Sequence, residues 1–111
     1  MSTFGISTPT SGVTVVRFPA SVIGGPEAVE LTNLLRDLTS PRAVVFDLSQ
    51  VTVMNSSGLG MLVSSLTTLK RANVSLTLAS VPEKVGSLLT MTQLAAVFTT
   101  ADTVETALSA L

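Results

Sequence analysis

The stretch Asp47-Leu48-Ser49-Gln50-Val51-Thr52-Val53-Met54-Asn55-Ser56-Ser57-Gly58-Leu59-Gly60 is the part of this 111-residue chain whose residue types and spacing suit chemistry. Asn55, Ser56 and Ser57 are three consecutive good N-caps for a helix that follows them, and one cap needs only one of them. Gly58 and Gly60 fall in the first turn of that helix, where glycine costs about 1 kcal/mol relative to alanine. Such a cost implies that something approaches this backbone closely: a partner or, equally well, a neighbouring strand. A helix N-terminus offers free N–H donors and partial positive charge, which suits a phosphate.

The standard catalytic patterns fail here. Gly58-x-Gly60 lacks the third glycine of a dinucleotide fingerprint, because Val63 stands in its place. No Walker lysine follows the glycines. Met54 breaks the nucleophile elbow that Ser56 would need. The chain has no His and no Cys, which excludes a Ser-His-Asp triad, thiolate chemistry, disulfides and Cys/His zinc sites. A serine without a base, lysine or metal is a poor nucleophile. Ser56 therefore reads as another enzyme's substrate; the chain is expected to be a binding protein rather than an enzyme, without cofactor or metal. On local features alone, capping accounts for one of the two serines. Asp47 reads as a turn or cap residue, Met54, Met61 and Met91 as core fillers, and Lys70 and Arg71 as partners of a helix dipole.

Six Lys and Arg oppose seven Asp and Glu, for a net charge of −1. That leaves no basic footprint for nucleic acid and no polybasic membrane patch. Only 12% of residues are charged, while 46% are hydrophobic. Ser and Thr supply the polar surface, and so weakly repelling a surface permits homo-oligomers. No run approaches the roughly 18 apolar residues of a membrane span, and no signal-peptide pattern opens the chain. Direct membrane insertion is not expected, and the cytoplasm is the expected location.

The elements that must position the segment follow from periodicity. A short strand is predicted around Phe4 to Ser7, a turn at Pro9 to Gly12, and a strand from Gly12 to Phe18. Ala20 to Gly25 reads as a loop. Pro26 opens a helix expected to run to about Thr39, with Ala28, Leu31, Leu34, Leu35 and Leu38 on one face and Glu27 and Glu30 complementing its positive end. Ser40-Pro41 stops it. Ala43 to Leu48 is a buried strand. The next helix spans about Ser57 to Arg71, with Leu59, Leu62, Val63, Leu66 and Leu69 as its stripe. Val74 to Ala79 is another strand, Pro82 and Glu83 open a third helix, and Ala95 to Thr99 is a last strand. Asp102 is the expected cap of a final helix carrying Val104, Ala107, Leu108 and Leu111. This order predicts one α/β domain over residues 1–111, with a mostly parallel four- to five-stranded sheet and about four helices. Sites in such sheets lie at the carboxyl ends of strands, which points to the turn after Phe46.

Asp47-Leu48-Ser49-x-Val51 followed by Met54-Asn55-Ser56-Ser57-Gly58-Leu59-Gly60 resembles the signature of the STAS domain family, in its branch of bacterial anti-sigma factor antagonists. The usual family form is Asp-Ser-Ser/Thr-Gly-Leu-Gly after a strand reading Asp-Leu-Ser-x-Val, and the element order agrees over nearly the whole chain. The resemblance implies a protein that binds an anti-sigma factor, itself a serine kinase, and so frees a sigma factor for transcription. It implies phosphorylation of Ser56, release of the partner, and resetting by a serine phosphatase. It places the partner-binding surface at Gly24, Gly25, Asn55, Ser56, Ser57, Gly58 and Leu59. Phosphate adds about −1.5 to −2 charge at such a surface. Two departures stand out. Asn55 replaces the family's Asp before the serine, and Ala20 to Gly25 carries no acid where the family's loop often reads Gly-Glu-Leu-Asp. Both remove negative charge from one surface. The alternative is a non-phosphorylated STAS scaffold or accessory subunit, of a lipid-transport ATPase or a stress-signalling assembly.

Overall fold

The computed structural model describes residues 3–38 and 41–111. Three parallel strands form its centre: β2 (Val13–Arg17), β4 (Ala43–Asp47) and β6 (Ser75–Ala79). Strand β1 (Gly5–Thr10) lies antiparallel on one edge and β7 (Thr99–Ala101) parallel on the other, giving the order β1-β2-β4-β6-β7. The expected mostly parallel sheet with four helices is therefore present. The central strands are buried on both faces; β2 and β4 accordingly read as near-continuous runs rich in Val, while β6 alternates Leu with Ser and Thr.

Three helices pack on one face: α1 (Pro26–Arg36), α2 (Ser56–Arg71) and α3 (Glu83–Met91). Leu31 and Leu35 of α1, Leu59, Leu62 and Leu69 of α2, and Val85 and Leu89 of α3 meet Val16, Val44, Phe46 and Leu78 from the sheet. Phe18 joins Phe4 edge-on at 5.0 Å and Phe46 at 4.7 Å between ring centres, so it carries the core across to the N-terminal segment. The opposite face is covered by α4 (Val104–Ser109), whose Ala107 seals Val13, Val15, Ala43 and Val45.

The structure corrects several local expectations. Strand β1 continues through Pro9 to Thr10, with an irregularity in its pairing between Ser7 and Thr10, which accommodates a proline on an edge. The last strand is Thr99–Ala101 rather than Ala95 to Thr99, because β7 must register with Thr77 to Ala79. Thr103, not Asp102, caps α4, accepting from the Thr106 amide at 3.0 Å. Met91 is 80% exposed in the last turn of α3, so it fills no core, whereas Met61 is buried and Met54 packs partly against it. Leu111 is also exposed. Helix α1 ends at Arg36 with Asp37 as its C-cap, short of the expected Thr39, because the Asp37 amide closes the last turn on Asn33 and Leu35; residues 39 and 40 lie outside the described residues.

Helices α2 and α3 close in the same way. Val74 N–H reaches Leu69 O and Asn73 N–H reaches Lys70 O; Leu94 and Gln93 repeat this on Leu89 and Thr90. Each closure leaves one residue left-handed, Asn73 at φ 60° and Gln93 at φ 62°. That conformation favours glycine over a side chain. Gln93→Gly is accordingly expected to stabilise the fold by about 0.5–1 kcal/mol, read as a higher urea midpoint with unchanged slope.

Candidate functional site

Beyond the carboxyl ends of β2 and β4 the chain builds a second, smaller pairing. Ser21–Val22 (β3), inside the segment expected to be plain loop, runs parallel to Val53–Met54 (β5). The Ala20 carbonyl anchors it, accepting from Thr52 N at 2.8 Å and Val53 N at 3.0 Å. This pair carries the chain from β4 into α2 and brings the segments around Gly24 and Ser56 together, although they are over thirty residues apart in sequence.

Helix α2 begins at Ser56, one residue earlier than expected, with Asn55 as its N-cap. Asn55 has extended backbone geometry, and its Oδ1 accepts from the Gly58 amide at 2.9 Å. The capping role therefore belongs to Asn55, and both serines are released from it. Ser56 and Ser57 are exposed at the positive end of a 16-residue helix.

The two glycines of this turn have different reasons. A Cβ on Gly58 would overlap the Val22 carbonyl oxygen of β3, whereas a Cβ on Gly60 would meet nothing within 4 Å. Close packing against a strand thus accounts for Gly58 and not for Gly60. Gly58 and Leu59 are buried, so they shape this surface from beneath. Gly24 has φ +81°, and a Cβ there would also meet Ser57 Cβ at 2.5 Å, so only glycine suits this contact. Gly60 instead lines an open groove of about 420 Å³ between α1 and α2, together with Gly24, Ala28, Leu31, Ser57 and Ser64.

Sequence reasoning assigned Glu27 to the helix dipole and found no acid for the loop. The structure brings one there. Glu27 Oε1 accepts from the Ile23 amide at 3.0 Å and the Gly25 amide at 2.8 Å, folding back from the first turn of α1. Its own backbone N–H, then those of Gly25 and Ile23, hold its pKa below the ordinary carboxylate value of 4.5. The only signal in the sequence was a Glu two residues after Gly25, compatible equally with a dipole role. A folded-state pKa below the unfolded one contributes order that is present above the ordinary value and is lost as pH falls through the lowered value. The Ile23 and Gly25 amide resonances are therefore expected to titrate together below pH 4.5, with a midpoint that Glu27→Gln abolishes.

The rim of this site is apolar. Ile23, next after β3, is 46% exposed, and Val53, in β5, is 53% exposed. Neither segment 18–26 nor segment 48–69 contains an Asp, Glu, Lys or Arg. No group of three acidic residues among the described residues is placed to hold a metal, and no described helix is long and apolar enough to cross a membrane.

The comparisons agree with this architecture. The sequence profile of the STAS domain matches residues 7–107. The fold resembles an anti-sigma-factor antagonist (STAS) domain protein from Planctomyces limnophilus, at TM-score 0.77 and 28% identity, over 99% of this chain and 98% of that one. It also resembles a sulfate transporter family protein from Wolinella succinogenes, at TM-score 0.83 and 17% identity, over 93% and 87%. The Bacillus cell fate determinant SpoIIAA in its phosphorylated form aligns at TM-score 0.69 and 15% identity, over 96% of both chains. With nearly its whole length matched and its signature segment forming the strand-to-helix turn of the fold, the chain belongs to the STAS domain family.

Proposed function

We propose that this protein is an anti-sigma factor antagonist. It binds an anti-sigma factor that is also a serine kinase, and phosphorylation of Ser56 ends that binding. The observation that carries the reading is the division of labour at the start of α2. Asn55 caps the helix, which leaves the Ser56 hydroxyl exposed at its positive end without a structural task. The similarity to the Planctomyces limnophilus antagonist domain, and to a SpoIIAA solved in a phosphorylated form, supports it.

The surface proposed to meet the partner comprises Ile23, Gly24, Gly25, Asn55, Ser56, Ser57 and Val53, with Gly58 and Leu59 supporting it from below. Ile23 and Val53 supply the apolar anchors. The segments 18–26 and 48–69 carry no charge of their own and Glu27 is held against the loop, so docking relies on apolar contact and hydrogen bonds, and phosphate adds to the negative charge already there. The phosphate sits where helix N–H groups tolerate it, so the fold persists while the interface does not. A serine phosphatase restores the binding form, and the cycle belongs in the cytoplasm with ATP and the transcription machinery.

The deciding experiment captures partners of the unmodified protein from a lysate of its native cells, with and without ATP, and maps phosphate on the bait by mass spectrometry. The expected result is a serine kinase that ATP releases as Ser56 gains phosphate. A transporter subunit or another STAS protein, held regardless of ATP with Ser56 bare, would establish the accessory-subunit role instead.

A further inference from the structure

Asn55 carries a second bond that capping does not require. With Oδ1 committed to the Gly58 amide at 2.9 Å, its Nδ2 faces and donates to the Ile23 carbonyl at 3.3 Å. The Ile23 N–H is held from the other side by Glu27 Oε1 at 3.0 Å. Both backbone polar groups of Ile23 are thus tied, one to α1 and one to α2, while its side chain remains half-exposed. We propose that Asn55 is a positioning residue that fixes Ile23 beside Ser56, so that partner and kinase meet a preformed surface. This rests on the reading of Ser56 as the switch serine.

The choice of amide supports the proposal. Asp and Ser cap as well as Asn, and Asp gains further from the helix dipole. Neither reproduces this bond: a carboxylate has no donor and would set oxygen against the Ile23 carbonyl oxygen, and a serine hydroxyl is too short to cap and reach Ile23 together. Capping alone is met equally by Asn, Asp or Ser; the bond to Ile23 is what singles out the amide. A loop held before binding loses less freedom on binding, which favours tighter and faster recognition.

The test uses amide exchange measured by NMR on the isolated protein and its Asn55→Asp and Asn55→Ser variants. Both variants are expected to keep the Gly58 amide protected and the melting temperature within about 3 °C, since the cap survives. Both should exchange Ile23 and Gly25 about 3- to 10-fold faster than wild type. Unchanged exchange at Ile23 and Gly25 overturns the proposal. So does loss of Gly58 protection in step with them, which would make Asn55 a cap and nothing more. The three proteins are then incubated with labelled ATP in a lysate of the native cells. Ser56 labelling about 3- to 10-fold slower in both variants supports positioning, and the neutral serine variant excludes a mere charge effect. Equal labelling rates overturn positioning. A wild type that takes no label at Ser56 defeats the switch reading, while the exchange data still decide the tie.

Discussion

Gly58→Ala is expected to lower the melting temperature by about 10 °C, whereas Gly60→Ala, two residues along the same helix, raises it by about 5 °C. Helix propensity alone predicts a gain of about 1 kcal/mol for both. The difference is tertiary. A Cβ at Gly58 overlaps the Val22 carbonyl oxygen, which is backbone and is fixed by the β3–β5 pair, so α2 must move away from the strand. Overpacking of this kind costs about 1–3 kcal/mol after the propensity gain is offset. A Cβ at Gly60 projects into the α1–α2 groove and meets nothing. Circular dichroism melts of the two variants read the signs directly. Stabilisation by both substitutions would show that Gly58 is not held by packing.

Ser56→Asp is expected to weaken binding of the captured partner about 30- to 4000-fold while leaving the fold intact. An unpaired charge brought into an interface costs about 2–5 kcal/mol, and neither segment forming this surface carries an opposing group. The side chain itself sits at a helix N-terminus, where an acid is favourable, so stability is held or slightly raised. Ser56→Ala is expected to bind like wild type and to resist release by ATP. Titration calorimetry with the purified partner gives both numbers, and equal affinity for the aspartate variant and wild type would remove the switch. Ser57→Asp is a poorer probe, because Ser57 Cβ packs against Gly24 and the substitution disturbs the loop as well as the charge.

Much of this site was legible before the structure. Asn55-Ser56-Ser57 announces a helix start through short polar side chains, and the two glycines announce close approach. What the pattern left open was which residue caps and which glycine packs. Three adjacent good caps are chemically equivalent until a backbone geometry selects one, and the extended conformation of Asn55 does so. The β3–β5 pair was invisible because two-residue strands contain no period to detect. Glu27 stands in the first turn of α1 as expected, but its second role stayed hidden, because only the path of Ile23 to Gly25 brings their amides within reach of its carboxylate.

The α/β order, the parallel centre of the sheet, the apolar stripes of α1 and α2, and the strand-to-helix turn after β4 that holds the candidate site were all readable from the residues in order. These follow from periodicity, breakers and capping chemistry, which are local along the chain. Tertiary structure alone decided that Val22 lies on Gly58, that Gly24 lies on Ser57, and that Ile23 is held between Glu27 and Asn55. Each of those sets the segment around Val22 to Gly25 against α1 or the start of α2, and each has a backbone group or a glycine on at least one side. Side-chain pattern cannot encode which peptide group meets which. The parallel pairing of β3 with β5 brings them together.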